Sequence, residues 1–235
     1  MPRHRREKPA GCFSEMKRIP EHDLMNDRAQ AEAYAAADFS EPHDAFVSHF
    51  MSRFPDFSGG EVLDLGCGTA DVIIRFANAF PGARITGVDG AQAMLDIGMR
   101  DVEKRGLSHQ IRLNLCRLPD DELSSKKYDA VISNSLLHHL CDPLILWGAV
   151  AACARHRAPV FIMDLMRPDS RRNAEEMVRL YAADAPSVLQ KDFYNSLLAA
   201  YTIEEIRRQL SRAGLDYLTV EAVSDRHVLV WGDKS

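Results

Sequence analysis

The feature that most constrains this chain is a pair of glycines at a strand-to-helix junction, Asp64-Leu65-Gly66-Cys67-Gly68-Thr69-Ala70-Asp71. A short apolar strand over 62–65 runs into it. Apolar residues at helical spacing over 69–80 run out of it, until Pro81-Gly82 stops the pattern. Glycine lets the backbone turn tightly and approach a ligand closely, and a helix start leaves unpaired N–H groups pointing at whatever lies there. A second strand over 84–88 leads to Asp89, an acid placed to accept both hydroxyls of an adenosine ribose.

The loop chemistry narrows the ligand. A nicotinamide dinucleotide fingerprint wants Gly or Ala at the sixth position of G-x-G-x-x-G, and here that position is Asp71. Asp64 and Asp71 on either side of the loop would repel a pyrophosphate. S-adenosylmethionine (SAM) has no phosphate and carries a sulfonium and an ammonium, so an acidic loop suits it. The bland alternative is a glycine-rich turn that binds nothing.

Strand and helix signals alternate beyond the loop. A helix is expected over 91–105, strands over 111–115 and 128–133, a helix over 143–155 and a strand over 159–163. Residues 168–200 look helical and polar. The capping box Thr202-x-x-Glu205 starts a helix that ends at Gly214. Two strand candidates follow, over 215–223 and 227–231, with a hairpin turn suggested around Asp225 and Arg226. Upstream, 21–37 and 42–53 read as helices. The succession predicts an α/β fold, a parallel sheet with helices on both faces. Residues 1–20 read as a flexible tail, and 21–235 as one domain in which 21–53 and 168–200 form a helical cap.

The run over 62–95, VLDLGCGTADVIIRFANAFPGARITGVDGAQAML, resembles the first two motifs of class I SAM-dependent methyltransferases. The resemblance spans 62–164, with a looser echo to the C-terminus. It implies a Rossmann-like seven-stranded sheet whose last strand is antiparallel. It also implies that Asp64, Gly66 and Gly68, with Cys67 between them, border the methionine moiety. By the same resemblance Asp89 holds the ribose, Gly90 and Met94 flank the adenine, and Asn134 closes the wall after the fourth strand. Two positions depart from the family pattern. Ala70 replaces the third glycine, and Cys116 or Arg117 stands where relatives carry an Asp beside the adenine. Backbone groups near Cys116 and Leu118 would then serve that contact. Tyr34, in the Ala-rich N-terminal helix, is placed to cover the sulfonium, whose charge is attracted to aromatic faces; packing is the other reading.

Ligands of open α/β sheets bind beyond the carboxyl ends of the strands. Three segments fall there: 134–140, containing His138 and His139; 164–168, containing Asp164 and Arg167; and 192–196, containing Tyr194. His138 is the candidate general base, since histidine titrates near neutrality. Asp164, Arg167 and Tyr194 are candidate positioning residues for the methyl acceptor. Each has a structural alternative: a structural or cofactor-wall histidine for His138, loop hydrogen bonding for Asp164, a surface ion pair for Arg167, cap packing for Tyr194. Adjacent histidines usually point different ways and no second ligand cluster is visible, so no metal is expected.

Composition sets the class of partner. A net charge of -5 offers no general attraction to phosphate backbones, apart from Arg3, Arg5, Arg6 and Lys8 in the tail. No apolar stretch reaches the roughly 20 residues that span a bilayer. Five cysteines without C-x-x-C spacing suit a reducing cytoplasm. The expected function is methyl transfer from SAM to a small-molecule acceptor, without nucleic-acid or membrane partners and with room for a homodimer. An enzyme making or using a SAM derivative, of the carboxy-SAM-synthase kind, and a non-catalytic SAM-binding regulatory module are the alternatives.

Overall fold

Along the central strands, apolar side chains alternate between two faces, and that alternation sets the layers. The computed structural model describes residues 16–21 and 26–235. The basic cluster Arg3, Arg5, Arg6 and Lys8, and Cys12, lie outside them. Helices α1 (Arg28–Ala36) and α2 (Ser40–Arg53) precede the sheet. Then follow β1 (Gly59–Leu65), α3 (Asp71–Ala79), β2 (Gly82–Asp89), α4 (Gln92–Lys104) and β3 (Ile111–Leu115). A short helix α5 (Asp121–Ser124) leads to β4 (Ala130–Asn134) and a 3-10 turn, Leu137–His139. The chain continues through α6 (Leu144–Cys153), β5 (Pro159–Leu165), α7 (Arg171–Tyr181), α8 (Ser187–Ala199) and α9 (Ile203–Ala213). It closes with β6 (Thr219–Ala222) and β7 (His227–Asp233).

The seven strands run in the order β3-β2-β1-β4-β5-β7-β6. The first five are parallel, and β7 is antiparallel to both β5 and β6. Strand order reverses between β1 and β4, so their carboxyl ends open the crevice where such sheets bind ligands. Leu63, Val131, Val160 and Val230 face one layer, with Trp147 of α6 and Ile206 of α9. Val62, Ile132, Phe161 and Leu229 face the other, with Ile73 and Phe76 of α3. This is the period-two pattern of a sheet covered on both sides.

The N-terminal helices, grouped by sequence as a cap, have separate placements. α2 is built into the core: fully buried Phe46 and Phe50 meet Phe161 and Phe76 edge-on at 4.9 and 4.8 Å. α1 leans on α4, where Ala31 and Tyr34 pack against Met94. The capping box at Thr202 and Glu205 is present, and Gly214 takes the left-handed conformation that ends α9.

Residues 16–20, assigned to a tail by their composition, lie along the domain instead. Ile19 donates its N–H to the Leu198 carbonyl. The Arg18 guanidinium stacks 4.0 Å from the Tyr201 ring and donates to the His138 and Leu140 carbonyls. This short strap has no hydrophobic periodicity, because side-chain hydrogen bonds to loop carbonyls hold it down.

α4 seats the glycine loop. A Cβ at Gly98 would lie 3.0 Å from Leu113 Cδ1 and 3.1 Å from the Thr69 carbonyl carbon. Gly98→Ala should therefore destabilise the fold by about 1–3 kcal/mol, although alanine is the better helix former. Urea unfolding that shows equal or higher stability would contradict this packing.

Candidate active site

The loop between β1 and α3 turns through three positive-φ residues, Gly66 (+78°), Gly68 (+50°) and Ala70 (+66°). At Gly66 a side chain is also excluded by space, since its Cβ would meet Leu136 at 2.9 Å. Asp89, at the end of β2, ties the loop down. Its two carboxylate oxygens accept from the Gly68 N–H at 2.9 Å and the Ala91 N–H at 2.8 Å. Burial raises the Asp89 carboxyl above its ordinary value, against the pull of those N–H groups.

The loop borders a cavity of about 1150 Å³ beyond the carboxyl ends of β1, β2 and β4. Asp64, Gly66, Cys67, Gly68, Asp89 and Met94 line one end, with Tyr34 above Met94. Burial, then Asp71 and Asp89, push the Tyr34 phenol up to about 12. Burial also pushes the Cys67 thiol well up. Burial first, and then the Asp89 charge, push the Asp64 carboxyl up to about 8.

Among the described residues, three buried side-chain atoms have no hydrogen-bond partner: Asp64 Oδ1, Asn134 Oδ1 and His139 Nδ1. All three residues line this cavity. Buried polar atoms are almost always paired, so such a cluster marks groups that a ligand completes. Two of the three are acceptors at the loop end. An ammonium offers three donors and a positive charge, and so answers both. The residues present therefore fit the ammonium of SAM, and the acidic Asp64 disfavours a pyrophosphate.

Past Asn134 the cavity meets the 3-10 turn, the strap and α8. Buried His138 lines it, and its Nδ1 lies 2.6 Å from Asp164 Oδ1. The other Asp164 oxygen accepts the Leu137 N–H at 2.7 Å. Burial raises Asp164, but His138 and the backbone N–H groups outweigh it and hold the carboxyl below its ordinary value. Burial, with His138 adding to it, pushes His139 down to about 3.

The three candidate positioning residues lie outside the cavity wall. Asp164 does not line the cavity; it is consumed in orienting His138 and the turn. Arg167 is buried, donating to Glu205 Oε1 at 2.7 Å and the Ala200 carbonyl at 3.1 Å, so its charge is spent on the α9 capping box. Tyr194 packs against the cluster of Leu165, Ala174 and Leu197, whereas Asp192, Phe193, Asn195 and Ser196 line the cavity. On the adenine side, Cys116, Arg117 and Leu118 do not line it. The Cys116 N–H donates to the Asp89 carbonyl, and Cys116 and Leu118 pack against the core. Gly90 sits between Asp89 and Ala91, which both line it.

Other lining residues escaped the sequence reading. His43 of α2 pairs with Asp71 at 2.6 Å, and that hydrogen bond, with Arg75 adding to it, lowers the Asp71 carboxyl to about 2. Arg226 stacks 3.4 Å from the Tyr181 ring, and burial, with Arg226 beside it, pushes His227 down to about 4. Glu21 reaches in from the strap. These partners are remote in sequence, so no local pattern announces them.

Residues 62–160 match the family model described as Methyltransferase domain. A ubiquinone biosynthesis O-methyltransferase of Bordetella pertussis is 34% identical over 113 residues, 47% of this chain and 44% of that protein. The chain thus aligns with less than half the length of that relative. A trans-aconitate 2-methyltransferase of Variovorax paradoxus is 28% identical over 60% of this chain and 51% of its own length. In three dimensions a SAM-dependent methyltransferase of Aquifex aeolicus superposes with a TM-score of 0.64, at 16% identity, over 89% of this chain and 99% of its own. Residues 62–160 are thus similar to a methyltransferase domain, and the chain shares the Rossmann-like fold of the solved SAM-dependent methyltransferase on which it superposes.

The buried Asp64 has a measurable consequence without ligand. Its folded-state value lies above the ordinary carboxylate value, so the native state keeps a proton that the unfolded chain gives up near pH 4. Its contribution is therefore intact below about pH 4 and is lost as pH rises toward 8. Asp64→Asn should stabilise the ligand-free protein by on the order of 2 kcal/mol at pH 8, and by progressively less toward pH 5. Thermal unfolding of both proteins across that range checks it; a difference independent of pH would contradict an uncompensated carboxyl.

Proposed function

We propose that this chain is a SAM-dependent methyltransferase acting on a small-molecule acceptor. The observation that carries the reading is the pair of unpartnered buried acceptors, Asp64 Oδ1 and Asn134 Oδ1, beside Asp89 in the glycine-loop pocket. Asp64 and Asn134 take the amino acid ammonium, Asp89 takes the ribose hydroxyls, and Tyr34 offers a ring face to the sulfonium. When bound, SAM supplies a methyl group already activated for displacement. The chain's residues hold an acceptor in line with it and exclude water.

The acceptor space is the far half of the cavity, among His138, His139, Asn195, Ser196 and Arg226. It is walled by the strap and by α8, which fits a small molecule better than a polymer. Two relatives carry names of small-molecule methylation, a ubiquinone biosynthesis O-methyltransferase and a trans-aconitate 2-methyltransferase, and the first supports an oxygen acceptor. Among the described residues no helix is long and apolar enough to cross a membrane. Cys67, Cys116 and Cys153 are free thiols, which supports a reducing, cytoplasmic location.

The first test is binding. Asp89→Ala should weaken S-adenosylhomocysteine at least tenfold in calorimetry, since each charge-assisted hydrogen bond is worth about 1.5–3 kcal/mol. Unchanged affinity would remove Asp89 from the site, and NAD bound as tightly as S-adenosylhomocysteine would overturn the cofactor. The second is turnover. Methyl-labelled SAM incubated with small hydroxyl- and carboxyl-bearing acceptors should yield S-adenosylhomocysteine and a labelled product. A carboxylated SAM product, or tight binding with no turnover across the panel, would replace methyl transfer by one of its two rivals.

A further inference from the structure

The third unpartnered atom, His139 Nδ1, sits at the acceptor end and has no task in the reading above. Around it the fold gathers groups from two distant segments. Ligand atoms of Glu21, His138 and His139 all lie within 4.8 Å of one another. We propose that these three side chains form a site for a d-block divalent cation, Zn2+ being the representative ion, open toward the acceptor space.

Geometry carries the proposal. Glu21 Oε2 lies 3.6 Å from His139 Nδ1. That is too long for a good hydrogen bond. It is close to the ~3.3–3.5 Å that separates two ligands each held about 2.0–2.1 Å from a tetrahedral Zn2+. The two histidines are adjacent in the 3-10 turn, and their rings lie 4.0 Å apart with 39° between the planes. In an extended segment they would diverge.

The surroundings have the form that metal ligands need. Asp164 occupies His138 Nδ1 and leaves Nε2 as the available ligand atom. A carboxylate behind a histidine is the usual support of a metal-bound imidazole, fixing its tautomer and raising its basicity. Glu21 Oε2 also accepts from Ser196 Oγ at 3.1 Å, which orients that carboxylate. Arg18, three residues earlier, donates to the carbonyls of His138 and Leu140. The strap that delivers Glu21 is therefore fastened to the turn that delivers the histidines. Two imidazoles and one carboxylate make a donor set for Zn2+ and its neighbours, with room for a fourth, exchangeable ligand.

The site faces the acceptor space, and here the inference rests on the methyl-transfer reading. A hydroxyl-bearing acceptor occupying the open position would lose its proton to solvent more readily. Its oxygen then forms a bond to the methyl carbon as the carbon–sulfur bond of SAM breaks, leaving S-adenosylhomocysteine.

The test uses the full chain, stripped with a chelator and desalted. Calorimetric titration with Zn2+ should give one ion per chain. Glu21→Gln and His139→Ala should each weaken it at least tenfold while keeping S-adenosylhomocysteine affinity. No Zn2+ binding, or unchanged binding in both variants, would overturn the site. Co2+ loading should give visible absorption without a thiolate charge-transfer band; such a band would assign the ion to cysteines and overturn it equally. If His139→Ala loses its fold, Glu21→Gln, altered only on the strap, decides. S-adenosylhomocysteine affinity in the unaltered protein reports separately on the methyltransferase reading, so the two can fail independently.

Discussion

A carboxylate buried at the end of β1, with one oxygen unanswered, is the constraint on which the rest of this structure turns. Removing Asp64 from water costs several kcal/mol when the group is ionised and unpaired. Without a cationic partner the carboxyl keeps its proton, and burial pushes it up to about 8. The neighbouring Asp89 sharpens the effect, because β1 and β2 are adjacent and parallel and end side by side. An acid held there at the expense of stability calls for a cation as its partner. The glycine loop contributes the space and the backbone donors, and Asp89 in turn anchors the loop through Gly68.

The far half of the cavity follows a different logic. Its polar groups come from the strap, the 3-10 turn, α8 and the β6–β7 hairpin, elements widely separated along the chain. Each is oriented by a partner behind it: His138 by Asp164, Glu21 by Ser196, Arg226 by the Tyr181 ring. Such groups are preorganised because their own hydrogen bonds are already made, which is how a site on loops gains precision. The same bonding takes Asp164 and Arg167 out of reach of a ligand.

Local patterns were legible wherever one short segment contains the whole physical cause. The strand, loop and helix around Gly66 and Gly68, the acid at Asp89, and the capping box at Thr202 and Glu205 each fall within such a segment. The seven-stranded order, with β7 antiparallel, agrees with the expectation from the family resemblance. What a local pattern does not contain depends on packing. Tyr194 and Asn195 are neighbours in α8, yet the helical rotation sends one to a buried cluster and the other to the cavity. The charge on Arg167 was visible; its choice of Glu205 as partner was not. The strap at 16–21 and the pairing of His43 with Asp71 rest on side-chain hydrogen bonds between remote segments, which leave no periodic trace.

Asp64 should be neutral in the ligand-free protein and ionise when the cofactor's ammonium arrives. Proton release on binding measures that directly. Calorimetric titration with S-adenosylhomocysteine at pH 7, repeated in buffers of different ionisation enthalpy, should show about one proton released per ligand bound, because a carboxyl near 8 is still mostly protonated there. In Asp64→Asn the release should disappear. Binding with no proton release in the unaltered protein, or the same release in Asp64→Asn, would contradict the account.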